Sequence, residues 1–371
     1  MPVFKASGFF VPMRTTHIPV SPDWYTVILQ TYANREHGEV TKRSMTMGAI
    51  ARRITRVITA VVCVAVSVGV SVATLHVPTR EGGGERFNPA RYRSDVIADT
   101  VINHTTGVDK TQGTGTAGSP YDNKGDFPEA GYTPSDFHAP CSIWTYRDAE
   151  SVWNCQVSGL QDLDTSSPHV RDVLSDYFVK LLDYGVAGFR VDAVKHMPPE
   201  DVLAIKKLVA KKSGRSMNDI WWTQEVIGDN AEAAEIQPRN YLKTGQVNEF
   251  QYAYRLKSLF SNSLAGGSLS IKDIPQNITD SGKASVFVTN WDTERNNMTL
   301  TYKDGDAYRL ANAFMLAYPY GAPNVFSGYE FHDTDSGASG ATATSVPDID
   351  CSKDSGWSCT ERWPDVHGMV G

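Results

Sequence analysis

The chain has 371 residues, 41% of them hydrophobic and 21% charged, with a formal net charge of -7 at pH 7. That length fits one large domain or two to three smaller ones, and the acidic balance argues against a nucleic-acid partner, which would show as a basic patch or excess. The 16 Tyr, 14 Phe and 8 Trp mostly suit core packing, with some flat surfaces available for stacking on ligands.

Residues 1–50 show no clear period, and 1–56 stay unassigned. An apolar run follows, VITAVVCVAVSVGVSVATLHV, Val57–Val77, with no charged side chain over 21 residues. It is long enough to cross a bilayer. Arg52, Arg53 and Arg56 precede it, so the positive-inside rule puts the N-terminus in the cytoplasm. Two readings fit: a transmembrane signal anchor, or a signal peptide that starts at Met45 or Met47 and is cleaved near Ala73. Both export the rest of the chain, which is expected to be extracellular or secreted, and the first anchors it to a membrane through 57–77. Residues 78–94 carry REGGGERFNPARYR, Gly-rich and charged, and read as a linker.

DVIADTVIN, Asp95–Asn103, is β-branched and predicts a buried strand. Roughly sixty residues rich in Gly, Thr, Ser, Asp and Pro come next, a length that implies a functional loop or a small subdomain. Pro168 then opens a helix in which Val170, Val173, Leu174, Tyr177, Phe178, Leu181 and Leu182 recur at helical spacing, ended by Gly185. GVAGFRVDAV predicts a strand, Pro199–Lys212 a helix, and IWWTQEVIG, Ile220–Gly228, a strand. GQVNEFQYA, ASVFVTNWD and FMLAYPYG with NVFSGYE are further strand candidates. Alternating strands and helices with apolar strands imply a parallel sheet with both faces covered. Carboxylates at strand C-terminal ends favour a (β/α) barrel. No glycine-rich nucleotide fingerprint follows any strand, so a dinucleotide-binding fold has little support.

Of five cysteines, Cys141 with Cys155 and Cys351 with Cys359 bracket short polar segments. Neither pair has zinc spacing or partner histidines, so both read as short-loop disulfides formed in an oxidising compartment. Cys63 lies in the apolar run, where it need only pack.

In GFRVDAVKHM, Gly188–Met197, an arginine stands two residues before an aspartate inside an apolar run. On a strand both face the same way, and a buried charge pair is costly unless it has a use. A structural salt bridge would explain one such pair. Four strand ends, however, deliver acidic or amide side chains: Asp99, Asn103 and His104, then Arg190 and Asp192, then Glu225, then Asn290 and Asp292.

DVIADTVINH, GFRVDAVKHM, EVIG and FVTNWD, in this order and spacing, resemble the four signature segments of α-amylases, retaining glycoside hydrolases with a (β/α)8 barrel. The resemblance runs over residues 95–371, about three quarters of the chain. It implies an α/β fold, a (β/α)8 TIM barrel, with 104–164 as a calcium-binding subdomain inserted after the third strand. It implies hydrolysis of internal α-1,4-glucosidic bonds in starch, glycogen or related α-glucans. Asp192 would be the nucleophile, Glu225 the acid/base, and Asp292 the third carboxylate that holds sugar hydroxyls. Arg190 beside Asp192 would favour the ionised nucleophile, while like charge would raise the Glu225 pKa. His104, Arg190, Lys195, His196 and Trp291 match substrate-contacting positions. Asn103, Asp162 and the backbone carbonyl of His196 match calcium ligands, a hard-oxygen set that suits Ca²⁺.

The sequence also departs from that pattern. Trp291 stands where the family usually has a histidine that bonds sugar hydroxyls; an indole has one N–H donor and no acceptor. Arg190 and Asn290 match two chloride ligands, but Asn324 replaces the basic residue of chloride-dependent members, which argues against strong chloride dependence. No segment before Asp95 matches the first two barrel strands, and the end at HGMVG leaves no room for the last helix and the C-terminal β domain. The barrel is therefore expected to be incomplete, with unpaired strand edges. Three other readings remain: a related α-glucosidase or transglycosylase of the same clan, a non-catalytic amylase-like membrane ectodomain of the transporter heavy-chain type, and an inactive truncated remnant. Asn277 and Asn297 lie in N-glycosylation sequons; Asn103 does too, but a glycan would block a calcium ligand.

Overall fold

The computed structural model describes residues 96–370, apart from 108–111, 116–117, 262–269, 343–347 and 353–354. The segments 1–56, 57–77 and 78–94 lie outside the described residues, Cys63 with them. Among the described residues no helix is long and apolar enough to cross a membrane.

The chain order begins with β1 (Ile97–Val101), β2 (His104–Gly107), β3 (Gln112–Thr114), β4 (Pro120–Asp122), helix α1 (Ala149–Asn154) and β5 (Leu160–Asp162). Helix α2 (Pro168–Asp183), β6 (Gly188–Asp192), α3 (Pro199–Ser213), β7 (Trp221–Gln224) and β8 (Gln246–Asn248) follow. The described chain closes with α4 (Phe250–Phe260), β9 (Ala284–Phe287), α5 (Asp306–Ala317), β10 (Ala322–Asn324) and α6 (Pro364–Val370).

Six strands form one parallel sheet in the order β1-β6-β7-β8-β9-β10. The order never reverses, unlike that of a doubly wound sheet, and right-handed crossovers then put every connecting helix on the same side. That is the winding of a (β/α)8 barrel, present here as an incomplete one with β1 and β10 at its edges among the described residues. Between β1 and α2 lie two small antiparallel pairs, β2 with β5 and β3 with β4, and the Cys141–Cys155 disulfide. Cys351 and Cys359 are also bonded.

Helix α2 begins where expected, with Ser167 as its cap and Pro168 in the first turn. It packs on α3, and Phe178, Phe189 and Trp222 meet in the core that these helices share with β6 and β7. Gly188 is required by close approach: a Cβ there would lie 2.4 Å from the Trp221 Cβ and 2.5 Å from its carbonyl oxygen. A second core joins Tyr252 and Leu256 of α4, Val286 of β9, and Tyr308 and Met315 of α5.

Every strand is shorter than its run predicts, and three runs show why. GQVNEFQYA is a strand only over Gln246–Asn248, because Glu249 caps a helix, accepting from the N–H of Gln251 at 3.1 Å. Phe250, Ala253 and Leu256 then bury at a spacing of three. FMLA belongs to α5, whose Tyr308, Ala311 and Met315 face the core, and β10 starts only at Ala322. ASVFVTNWD leaves the sheet after Phe287.

Candidate active site

Strand register alone assembles the first group. Asp99 on β1 pairs with Arg190 on β6, and Arg190 with Thr223 on β7. Two residues on, Asp192 shares the face of Arg190. Glu225, the residue after β7, stays in register by donating its N–H to the Val191 carbonyl at 2.9 Å. Arg190 Nη1 donates to Asp99 Oδ1 at 2.9 Å and to Asp192 Oδ1 at 2.6 Å. Its Nη2 lies 3.1 Å from Glu225 Oε2. Arg190, Asp192 and Glu225 are all buried.

Ala193 adds a further donor. Its backbone is left-handed, with φ 52° and ψ 30°, an uncommon state for a residue with a Cβ. The turn aims its N–H at Glu225 Oε2, 2.8 Å away. Local strain beside a reactive group is a recurrent feature of functional sites.

One guanidinium thus serves three carboxyl groups, and Asp292 adds negative charge from the loop after β9. The shortfall of positive charge falls on Glu225, which is the group that takes up a proton. Burial pushes its carboxyl up to about 7, Asp192 and Asp292 add repulsion, and Arg190 and the Ala193 N–H oppose without cancelling. Arg190 stays charged: burial disfavours the cation, but the surrounding carboxylates outweigh it.

This has a consequence for stability. Glu225 is held at about 7 in the folded state against 4.5 as its reference, so the native protein binds the extra proton between those values. Stability contributed by this group therefore falls as pH rises through that window and levels off above it. Glu225→Gln is expected to gain about 3 kcal/mol over the parent at pH 8 and almost nothing at pH 4.5. Urea unfolding of both proteins at the two pH values checks it; an equal difference at both would refute it.

Asp292 sits on a turn built by Asn290, whose Oδ1 accepts from the N–H of Asp292 at 3.1 Å and from the N–H and hydroxyl of Thr293 at 2.8 Å each. Asp292 is exposed and Trp291 half-buried. Lys195 is buried and donates to Glu232 Oε2 at 2.5 Å, with its Nζ over the Tyr146 ring at 5.2 Å. His196 meets Tyr146 edge-on at 5.9 Å. Burial and then Lys195 push its imidazole down to about 4, so it is neutral. His104 opens β2, its Nδ1 3.4 Å from Asn103 Nδ2.

Asn103 and Asp162 come together from distant segments: Asn103 Nδ2 donates to Asp162 Oδ1 at 3.1 Å, and both are buried. Asn103 Oδ1 is buried with no hydrogen-bond partner. Burial pushes Asp162 up to about 6, with His138, 2.7 Å away, opposing. An orphaned buried acceptor beside a desolvated carboxylate fits a hard cation. Of the chloride positions, Arg190 is shared among carboxyls, and Asn324 Nδ2 donates to Ser285 Oγ and the carbonyls of Val286 and Ala322 at 2.8, 3.1 and 3.0 Å.

Glu232, Tyr146, His138 and Ala193 escaped the sequence reading. Glu232 lies seven residues past Glu225 in AEAAEI, with no periodicity that ties it to Lys195. Only the turn after β7 returns it to the site.

Residues 93–362 match the family described as alpha amylase, catalytic domain. The chain belongs to the alpha-amylase family. An alpha-amylase of Streptomyces violaceus is 40% identical over 279 residues, 74% of this chain and 45% of that protein. One from Tenebrio molitor is 37% identical over 311 residues, 80% of this chain and 65% of the relative. The chain therefore spans about half to two thirds of the length of these relatives. Among solved structures, alpha-amylase I from Eisenia fetida superposes with a TM-score of 0.65 at 29% identity, covering 72% of this chain and 59% of that one. A mutant of that amylase has been solved with maltohexaose, with the same TM-score and coverage.

Proposed function

We propose that this alpha-amylase family member hydrolyses internal α-1,4-glucosidic bonds of starch, glycogen and related glucans with retention. The observation that carries this reading is one guanidinium holding Asp192 and Glu225 together while Glu225 keeps its proton near neutral pH. A retaining glycosidase needs a close pair of carboxyls, one ionised and one protonated. Asp192, paired with Arg190, attacks the anomeric carbon. Glu225 protonates the leaving oxygen and then, as a carboxylate, activates water for the second displacement. Asp292, exposed at the same strand ends, holds sugar hydroxyls, with His104, Lys195 and His196 lining the approach. Burying an acid at about 7 costs stability, and a non-catalytic ectodomain or an inactive remnant gains nothing from that cost. The maltohexaose complex of the Eisenia relative supports the same class of substrate.

The test is soluble starch with the purified full chain. Endo-cleavage removes iodine colour while few reducing ends have appeared. Colour lost only in proportion to released sugar, or not lost, would refute the endo reading.

Ca²⁺ is the proposed structural metal, held by Asn103, Asp162 and the carbonyl of His196; bound there, it would brace the inserted segment 104–164 against β1. Chelation is expected to lower Tm by roughly 10 °C, restored by added Ca²⁺. In Asn103→Ala the same chelator should move Tm far less; an equal shift would place the metal elsewhere. The two disulfides support export to an oxidising compartment. Anchorage through 57–77 is part of the proposal only as one of the two routes of export.

A further inference from the structure

The departure from the family pattern at Trp291 has a built setting. The Arg295 guanidinium lies over the indole at 4.5 Å from its centroid. That guanidinium is fixed in turn: Nη1 donates to the Thr334 carbonyl, Nη2 donates to the Tyr329 hydroxyl at 2.9 Å, and the Phe331 ring lies 4.4 Å away. Tyr329 and Phe326 meet the indole edge-on, with centroids at 5.3 and 6.2 Å. Tyr329 is backed by Trp357 at 5.9 Å, in the loop that the Cys351–Cys359 bond closes. The backbone is equally constrained, since Asn290 caps the turn that carries Trp291 and Asp292.

A core role alone does not account for this arrangement. The indole keeps part of its surface exposed, directly before the exposed Asp292. Arg295 leaves its Nε buried without a partner, a cost that an apolar side chain in the same place would avoid. What the cation and the two edge contacts achieve is a ring that cannot turn.

We propose that Trp291 is a rigid stacking platform for a glucosyl ring next to the bond that is cleaved, and that Arg295 is the positioning residue behind it. The proposal rests on the α-glucan hydrolase reading. A pyranose offers an apolar C–H face that suits an aromatic ring, whereas an indole with one donor and no acceptor reads hydroxyls poorly. A ring already immobilised in the free protein loses little entropy on binding. Stacking of this kind is felt almost equally in the bound ground state and the transition state, so it appears in KM more than in kcat.

The experiment uses the full chain carrying Glu225→Gln, which binds without turnover, titrated with maltoheptaose by calorimetry. Adding Trp291→Ala is expected to weaken Kd about tenfold, with Trp291→Phe retaining most of the affinity and Arg295→Met falling between. In the active background the same substitutions should raise KM by similar factors and leave kcat within about twofold. Unchanged Kd in Trp291→Ala, or in Arg295→Met should the alanine variant not fold, overturns the proposal. So does a fall in kcat at constant KM, which would mark a hydrogen-bonding role. If the Glu225→Gln parent itself fails to bind maltoheptaose, the hydrolase reading has failed and the platform with it.

Discussion

Glu225→Gln is expected to lower starch hydrolysis roughly 10³- to 10⁴-fold without disturbing the fold. A glutamine still accepts the Ala193 N–H that lies 2.8 Å from Oε2, and it removes one charge from a crowded carboxyl cluster. What it cannot do is hold a transferable proton. On the proposed mechanism both displacements suffer, because the same group would protonate the leaving oxygen and then deprotonate water. Reducing ends released by parent and variant, matched for concentration and circular dichroism, decide it. Retention of a tenth or more of the parent rate would remove Glu225 from the acid/base role.

Arg190→Met is expected to be the most destabilising single change in the site. It leaves Asp99, Asp192 and Glu225 around a position that had supplied their shared cation. Breaking a buried ion pair in this way costs about 3–5 kcal/mol. The loss depends on pH with a definite sign. Without the guanidinium the carboxyls take up protons more readily in the folded protein, so the deficit shrinks as pH falls. Urea unfolding at pH 5 and pH 8 should therefore show the larger gap at pH 8. Arg190→Lys should recover part of the stability but little activity, since a point charge cannot span the groups that a planar fork bridges. A deficit that does not vary with pH would mean that Arg190 is held mainly by packing.

The sequence made the charged strand ends legible because alternation along a strand is strict. RxD fixed Arg190 and Asp192 on one face, and register then added Asp99 and Glu225. Helices α2 and α3 were readable from apolar spacing and from Pro168, Pro199 and Gly185. GQVNEFQYA misled because a strand end, a capping Glu249 and a helix start follow one another within a few residues, and β-favouring residues such as Val247, Phe250 and Tyr252 occur on both sides of the join. FMLA reads as strand or helix alike, and only burial at Tyr308, Ala311 and Met315 separates them. Contacts made by turns were out of reach. The left-handed Ala193 has no compositional mark, and the pairing of Lys195 with Glu232 joins two loops. Trp291 was visible as a departure, but its clamp by Arg295, Tyr329 and Phe326 exists only in three dimensions.

The most direct measurement is proton NMR of the first products released from maltoheptaose by the full chain, before mutarotation. Retaining chemistry by Asp192 and Glu225 predicts that the new reducing ends appear as the α-anomer and equilibrate later. Reducing ends that appear first as the β-anomer, or none at all from a folded protein, would contradict it.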